Sequence, residues 1–282
     1  MIIMQDNILL ELSKTIYDYC GLRYSDRLPT LKEKISKRVK ELDLTYWEYC
    51  GYLKMAPMEW DVLVELLTVN ETYFYREENQ LNECSSMVLP LIKEKIKDRP
   101  IRIWSAACST GEEPYTLAML IQETGLFPLG TIEIMATDIN KKVLQKAEKG
   151  WYNQGSFAFR RIPKKLLEKY FSVEEGGYQV NKSIRNMVQF QHLNLLHEEK
   201  IAQIGRADVI FCRNVLIYFD EETTKRVIRN LYDNLTAGGY LFLGHAESIT
   251  DFHLGFQKVD TDKTFYYRKE LDQNEAVRRI SG

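Results

Sequence analysis

The second half of the chain carries its strongest constraint: short apolar runs alternate with helical periodicity, and then the alternation stops. Runs at 101–107, 131–137, 187–193, 208–212 and 240–244 have the β-branched and large apolar content of buried strands. Helical spacing fills 112–123, the stretch from Lys141, and 221–235 between them. Strands alternating with helices form a parallel sheet covered on both faces. Two further runs, 256–259 and 264–268, are separated only by Asp260-Thr261-Asp262-Lys263. That connection is too short for a parallel crossover, so the last pair must be antiparallel. The expected fold class is α/β, a doubly wound sheet of seven strands closed by a C-terminal antiparallel hairpin.

Two segments fall outside this pattern. In residues 1–76, Ile8, Leu9, Leu12, Ile16 and Tyr19 recur at helical steps, as do Leu31, Ile35, Val39 and Leu42, then Trp60, Leu63, Val64 and Leu67. Pro29-Thr30 fits a helix start. Residues 151–186 combine irregular sequence, a short helix at 166–171, and runs at 171–173 and 178–180 that face each other across a Gly176-Gly177 turn. The chain is therefore read as an all-α N-terminal domain (1–76) and an α/β domain (77–282) with a small β-subdomain inserted at about 151–186.

Composition removes several function classes. Lys and Arg total 38 against 40 Asp and Glu, a formal charge of −2, without the basic excess of a general nucleic-acid or anionic-membrane binder. Cys20, Cys50, Cys84, Cys108 and Cys212 are scattered with no CxxC pair, the pattern of reduced cytosolic thiols. No histidine has Cys or acidic neighbours at a metal-ligand spacing. Neither a signal-peptide start nor an apolar run of roughly eighteen residues is present. A cytoplasmic protein with no metal and no membrane insertion is expected.

Ligands of open α/β sheets lie beyond the carboxyl ends of the strands. The first strand runs into Ser105-Ala106-Ala107-Cys108-Ser109-Thr110-Gly111, whose small residues would let a ligand approach the backbone. The next helix opens on Glu112-Glu113, and no GxGxxG precedes it. Two carboxylates there repel a pyrophosphate and suit a cationic group, which argues against a nicotinamide dinucleotide and for a nucleoside bearing an ammonium or sulfonium. Asp138, ending the second strand, can accept from ribose hydroxyls or cap the following helix. Asn194 follows the third strand and could meet an adenine edge. Arg213 and Asn214 end the fourth, where a buried strand has no packing use for them.

Together these residues resemble the chemotaxis receptor glutamate O-methyltransferases, the CheR family. The resemblance rests on Asn70-x-Thr72-x-Phe74-x-Arg76, WSAACSTGEEPY (104–115), ATDIN (136–140), CRNVLIYFD (212–220) and GGYLFLGHAES (238–248), in the family's order. It implies a class I methyltransferase fold and S-adenosyl-L-methionine as cofactor, with S-adenosyl-L-homocysteine as product. It also implies methyl-ester formation on glutamates of methyl-accepting chemotaxis receptors by a monomer. Asn70, Thr72, Arg76, Glu113, Asp138, Asn194, Leu195, Asn214 and Val215 would then bind the cofactor, with Arg76 and Tyr218 beside the transferring methyl and Glu112 a secondary neighbour. The family's β-subdomain can hold a receptor peptide, but the loop at 174–177 is short for that role. A non-catalytic cofactor sensor, or a methyltransferase of another substrate class, is the alternative on the same fold.

Charge is uneven within the neutral total. Residues 21–40 hold seven Lys or Arg against two acids, while 41–76 hold two against seven. Such a run is either a solvated helix face or a docking surface for an acidic helix. The second reading assigns Arg23, Lys34, Lys37 and Arg38 to the receptor.

Overall fold

The N-terminal stripes form α1 (Ile2–Cys20), α2 (Leu28–Glu41) and α4 (Glu59–Leu67), with α3 (Tyr46–Met55) between them. Leu12, Ile16, Leu31, Ile35, Tyr49, Leu53 and Leu63 close a common core, the apolar face that each helix must bury. Periodicity missed α3, whose start is instead fixed by a capping box in which Thr45 and Glu48 satisfy each other's backbone N–H groups. Inside this unit the Arg38 guanidinium donates to both oxygens of buried Glu59, at 2.9 and 2.7 Å, and Tyr49 donates its hydroxyl to the same carboxylate. Arg38 is therefore a core ion-pair partner, which corrects its assignment to a docking surface.

The computed structural model describes residues 2–128 and 130–270. After α4 come α5 (Glu78–Glu83), a π-helical turn (Cys84–Val88) and α6 (Leu89–Lys95). The turn widens directly before Pro90, which has no N–H to continue an α-helical ladder. The strands that follow are β1 (Ile101–Ala106), β2 (Ile132–Asp138), β3 (Trp151–Asn153), β4 (Phe171–Glu174), β5 (Gly177–Val180), β6 (Val188–His192), β7 (Ala207–Cys212), β8 (Leu235–Leu243), β9 (Phe256–Asp260) and β10 (Phe265–Lys269). Between them lie α7 (Glu112–Thr124), α8 (Lys141–Lys149), α9 (Lys164–Tyr170), α10 (Lys182–Arg185), α11 (Glu198–Ile204) and α12 (Glu221–Asp233).

The main sheet has seven strands in the order β6-β2-β1-β7-β8-β10-β9, parallel from β6 to β8 and antiparallel at β10 and β9. Each face carries its own apolar core, and central β7 is buried along its whole length. Strand β8 starts earlier than expected. The pairing of β7 with β8 shifts register between Ala207 and Val209, so that residues 236–239, including Gly238 and Gly239, are taken up within the strand.

The insertion forms a separate antiparallel sheet in the order β3-β5-β4. Its turn is Glu175-Gly176 rather than Gly176-Gly177, with Gly176 at a φ of +72°. Gly177 belongs to β5, where a Cβ would stand 2.3 Å from the Tyr152 carbonyl oxygen. One glycine makes the turn and the other permits the pairing.

Candidate active site

Strand order reverses on either side of β1, and the carboxyl ends of β1, β2 and β7 open there into one cavity. Asn70, Thr72, Arg76, Glu113, Asp138, Asn194, Leu195, Asn214, Val215 and Tyr218 all line it. Residues drawn from five separate segments of chain are thus brought to one place.

The loop after β1 holds Ala107 and Ser109 at φ of +61° and +51°, an uncommon conformation for side-chain-bearing residues. Both line the cavity. Gly111 does not serve ligand approach: a Cβ there would meet the Ala147 Cβ at 2.9 Å and the Phe190 ring at 3.3 Å. Its absence lets the start of α7 seat against α8.

Of the two glutamates opening α7, only Glu113 faces the cavity. Ser105 donates its hydroxyl to one Glu113 oxygen at 2.6 Å, and Arg213 donates to the other at 3.2 Å. Burial pushes the Glu113 carboxyl up and the Arg213 charge pulls it partly back. Glu112 turns inward onto the Thr110 hydroxyl and is buried, which raises its pKa to about 7. Its expected neighbouring role in the cavity is not supported by this orientation.

Asp138 is buried, and accepts backbone N–H bonds from Ser109 at 2.8 Å and Asn140 at 2.9 Å. Burial raises its carboxyl against the pull of those donors. The cap of α8 is Asn140, whose side chain accepts from Lys142 and Val143. Asp138 is therefore not the helix cap, and each of its oxygens keeps acceptor capacity for a ligand hydroxyl.

Asn194 carries structural bonds that the sequence did not reveal. Its Nδ2 donates to the Tyr19 carbonyl at 2.6 Å, and its Oδ1 accepts from the Leu196 N–H at 2.9 Å. The amide read as meeting a base edge thus also joins α1 to the sheet, and the residue borders the cavity.

Three residues escaped the sequence reading. Glu77, at φ +53°, accepts from Arg213 and from the Asn214 amide. Burial opposes its ionisation, but Arg213, Asn214 and His245 together outweigh burial and hold its carboxyl below the usual range. Glu247 is buried and accepts the N–H groups of Gly244, Asn214, Val215, Leu216 and Ile217. Ser105 orients Glu113 as described. The acid beside Arg76 and the acid within GHAES were visible, but their targets were not.

The N-terminal helical region also contributes to the wall: Arg23, Tyr24, Arg27, Thr30 and Lys34 line the cavity. Arg76 donates to the Glu71 carbonyl at 2.7 Å and lies 5.7 Å from the centre of the Tyr73 ring. Of the four expected docking cations, Arg23 and Lys34 thus border the cavity. Lys37 does not line it and pairs with Glu41 along the outside of α2.

Residues 70–265 match the family model described as CheR methyltransferase, SAM binding domain. The chain belongs to the CheR methyltransferase family. It is 39% identical over 228 residues to Chemotaxis protein methyltransferase 2 of Vibrio cholerae, covering 78% of this chain and 77% of that one. It is 35% identical over 251 residues to the chemotaxis protein methyltransferase of Borreliella burgdorferi, covering 86% and 88%. The Escherichia coli chemotaxis protein methyltransferase is 32% identical over 266 residues, covering 90% and 88%.

S-adenosyl-L-methionine is the cofactor of this CheR domain, and the cavity suits it chemically. A partly buried carboxylate, Glu113, matches a ligand ammonium, and a buried one, Asp138, matches a hydroxyl pair. Among the described residues no helix is long and apolar enough to cross a membrane.

Proposed function

We propose that this enzyme is a protein-glutamate O-methyltransferase that forms methyl esters on chemotaxis receptors and so contributes to sensory adaptation. The observation that carries this reading is the charged lining of one cavity. Carboxylates Glu113 and Asp138 line it together with Arg23, Arg27, Lys34 and Arg76, the first three of these cations from the N-terminal helical region. The carboxylates suit a cationic cofactor, and the cations suit a carboxylate acceptor. Residues 1–76 then form the receptor-facing domain and 77–282 the cofactor domain, acting in the cytoplasm as a monomer.

The bound cofactor supplies a methyl group activated by its sulfonium. A glutamate side chain, with a reference pKa of about 4.3, is already ionised at neutral pH, so no general base is required. What remains for the protein is alignment and exclusion of water, and well-oriented reactants recover roughly 7–11 kcal/mol of barrier. Glu113 holds the cofactor's ammonium and Asp138 its ribose hydroxyls. Asn70, Thr72, Asn194, Leu195, Asn214 and Val215 form the walls around it. Arg76 orients the incoming carboxylate through its guanidinium, leaving one oxygen free to attack. Its contact with the Glu71 carbonyl leaves other N–H groups for that purpose. Tyr218 borders the path of the methyl group.

Incubation with methyl-labelled cofactor and receptor-containing membranes tests this reading. Label should enter the receptor band and be released as methanol by mild base, the behaviour of a carboxyl methyl ester. Label that is stable to base, or that enters nucleic acid or a small molecule instead, would refute the assignment.

A further inference from the structure

One cation joins Glu113 to the Arg76–Glu77 segment of this cavity. The Arg213 side chain is 2% exposed and makes its contacts in three directions. One nitrogen donates to Glu113, another donates to the Arg76 carbonyl oxygen at 2.6 Å, and the guanidinium pairs with Glu77 at 3.1 Å. Glu77 in turn receives the Asn214 amide at 3.1 Å. The segment it grips is not relaxed: Tyr75, Glu77 and Asn214 all have positive φ, a strained conformation for side-chain-bearing residues that persists only where the surroundings impose it. A fully desolvated guanidinium with three partners can impose it, because its fork is rigid and its charge permanent.

We propose that Arg213 is the positioning residue of this site: it fixes the Arg76 backbone and keeps Glu113 aimed into the cavity. It acts through other groups and touches no reacting atom. The inference rests on the reading above that Glu113 binds the cofactor's ammonium.

The groups facing Glu113 define how the role is exposed. They are Arg213 and Arg76, which favour its charge, and Glu77, which opposes it; Cys108 and Cys212 also lie close enough to feel it. Burial already disfavours the Glu113 carboxylate. Replacing Arg213 by methionine removes the main opposing charge, so Glu113 takes up a proton at a higher pH than before. Ammonium binding needs the ionised form. Affinity in the variant should therefore fall as pH drops through that titration and recover as pH rises.

The test measures calorimetric affinity for S-adenosyl-L-homocysteine and for 5′-methylthioadenosine, which lacks the amino-acid part. Wild type, Arg213→Met, Arg213→Lys, Glu113→Gln and the Arg213→Met/Glu113→Gln pair are compared between about pH 6 and about pH 8.5. Arg213→Met should bind the homocysteine ligand about tenfold to a hundredfold more weakly at the acid end, as for loss of a charged hydrogen bond. It should recover towards the alkaline end and keep methylthioadenosine affinity within about twofold, a difference too small to represent a lost hydrogen bond. Arg213→Lys should show a smaller loss, and the double variant none of the pH dependence. Equal weakening of both ligands at every pH, or unchanged affinity, would overturn the positioning role. If Glu113→Gln alone leaves homocysteine-ligand affinity intact, the Glu113 reading fails and the proposal fails with it. A loss in Glu113→Gln without the pH-dependent loss in Arg213→Met would sink the proposal alone.

Discussion

Replacing Glu247 by glutamine changes one atom in shape and a great deal in hydrogen bonding. In the structure one carboxylate oxygen accepts from Gly244 at 2.7 Å and Asn214 at 2.9 Å, and the other accepts from Val215 at 2.9 Å, Leu216 at 2.8 Å and Ile217 at 3.3 Å. A glutamine must place its NH2 at one of these positions. The less damaging choice faces it towards Gly244 and Asn214, leaving two backbone donors without an acceptor. Each orphaned buried donor costs about 1–3 kcal/mol, so Glu247→Gln should lose about 2–6 kcal/mol. Against a total stability of roughly 5–15 kcal/mol that loss is plain in a urea titration. The same carboxylate fixes the backbone at Asn214 and Val215, so affinity for S-adenosyl-L-homocysteine should fall in the folded variant too. A denaturation midpoint and a ligand affinity both matching wild type would refute the claim that this carboxylate organises the loop after β7.

Arg76→Ala should lose most turnover while S-adenosyl-L-homocysteine binding persists; near-wild-type single-turnover rates would remove Arg76 from the methyl-transfer step. Arg23→Glu should raise receptor KM by roughly threefold to tenfold, the scale of a partly exposed charge contact, without lowering stability. Arg38→Met should do the reverse, costing about 3 kcal/mol because it strands buried Glu59, with receptor KM unchanged at temperatures where the protein is folded. Equal effects of the two substitutions on KM would refute this division. Glu112 has a folded pKa of about 7, above its unfolded value, so the folded state holds the extra proton and stability declines as pH rises from about 4.5 through 7. Glu112→Gln removes that titration and should gain on wild type by an amount on the order of 3 kcal/mol across this window; parallel stability curves between about pH 5 and about pH 8 would refute it.

The sheet was legible because buried strands announce themselves locally. The run Ala207–Cys212 is buried at every position, and nothing distant is needed to recognise it. Helix α3 was less legible, since Gly51 interrupts it and its aromatic residues follow no clean period; only the Thr45–Glu48 cap identifies its start. The site divides in the same way. Asp138 and Asn214 could be read because they end buried strands, where polar residues are conspicuous. Glu247 could not, because its work is to receive N–H groups some thirty positions earlier in the chain. Glu77 and Arg213 meet across a separation of 136 residues, and neither has a local signature for that pairing.

Position 76 divides the periodicities but not the cavity. Cys20, at the end of α1, and Leu22 and Tyr24, from the loop between α1 and α2, border the same space as Asp138, Leu193 and Leu195. Tyr24 in that loop donates to the Leu67 carbonyl, and Asn194 donates to the Tyr19 carbonyl in the last turn of α1. Gly21, at φ +74°, sits so close to α12 that a Cβ would come within 2.6 Å of the Thr223 methyl. The loop therefore packs as part of the sheet's own ligand wall. Cationic Arg23 and Arg27 follow within the same loop, only a few residues from that wall. The segment that presents these cations therefore borders the same space as the carboxyl ends of the strands. On the proposed function the acceptor's charges and the cofactor's wall share this packing, so a substitution at Gly21 should weaken S-adenosyl-L-homocysteine binding and raise receptor KM together; a change in only one of the two would refute the coupling.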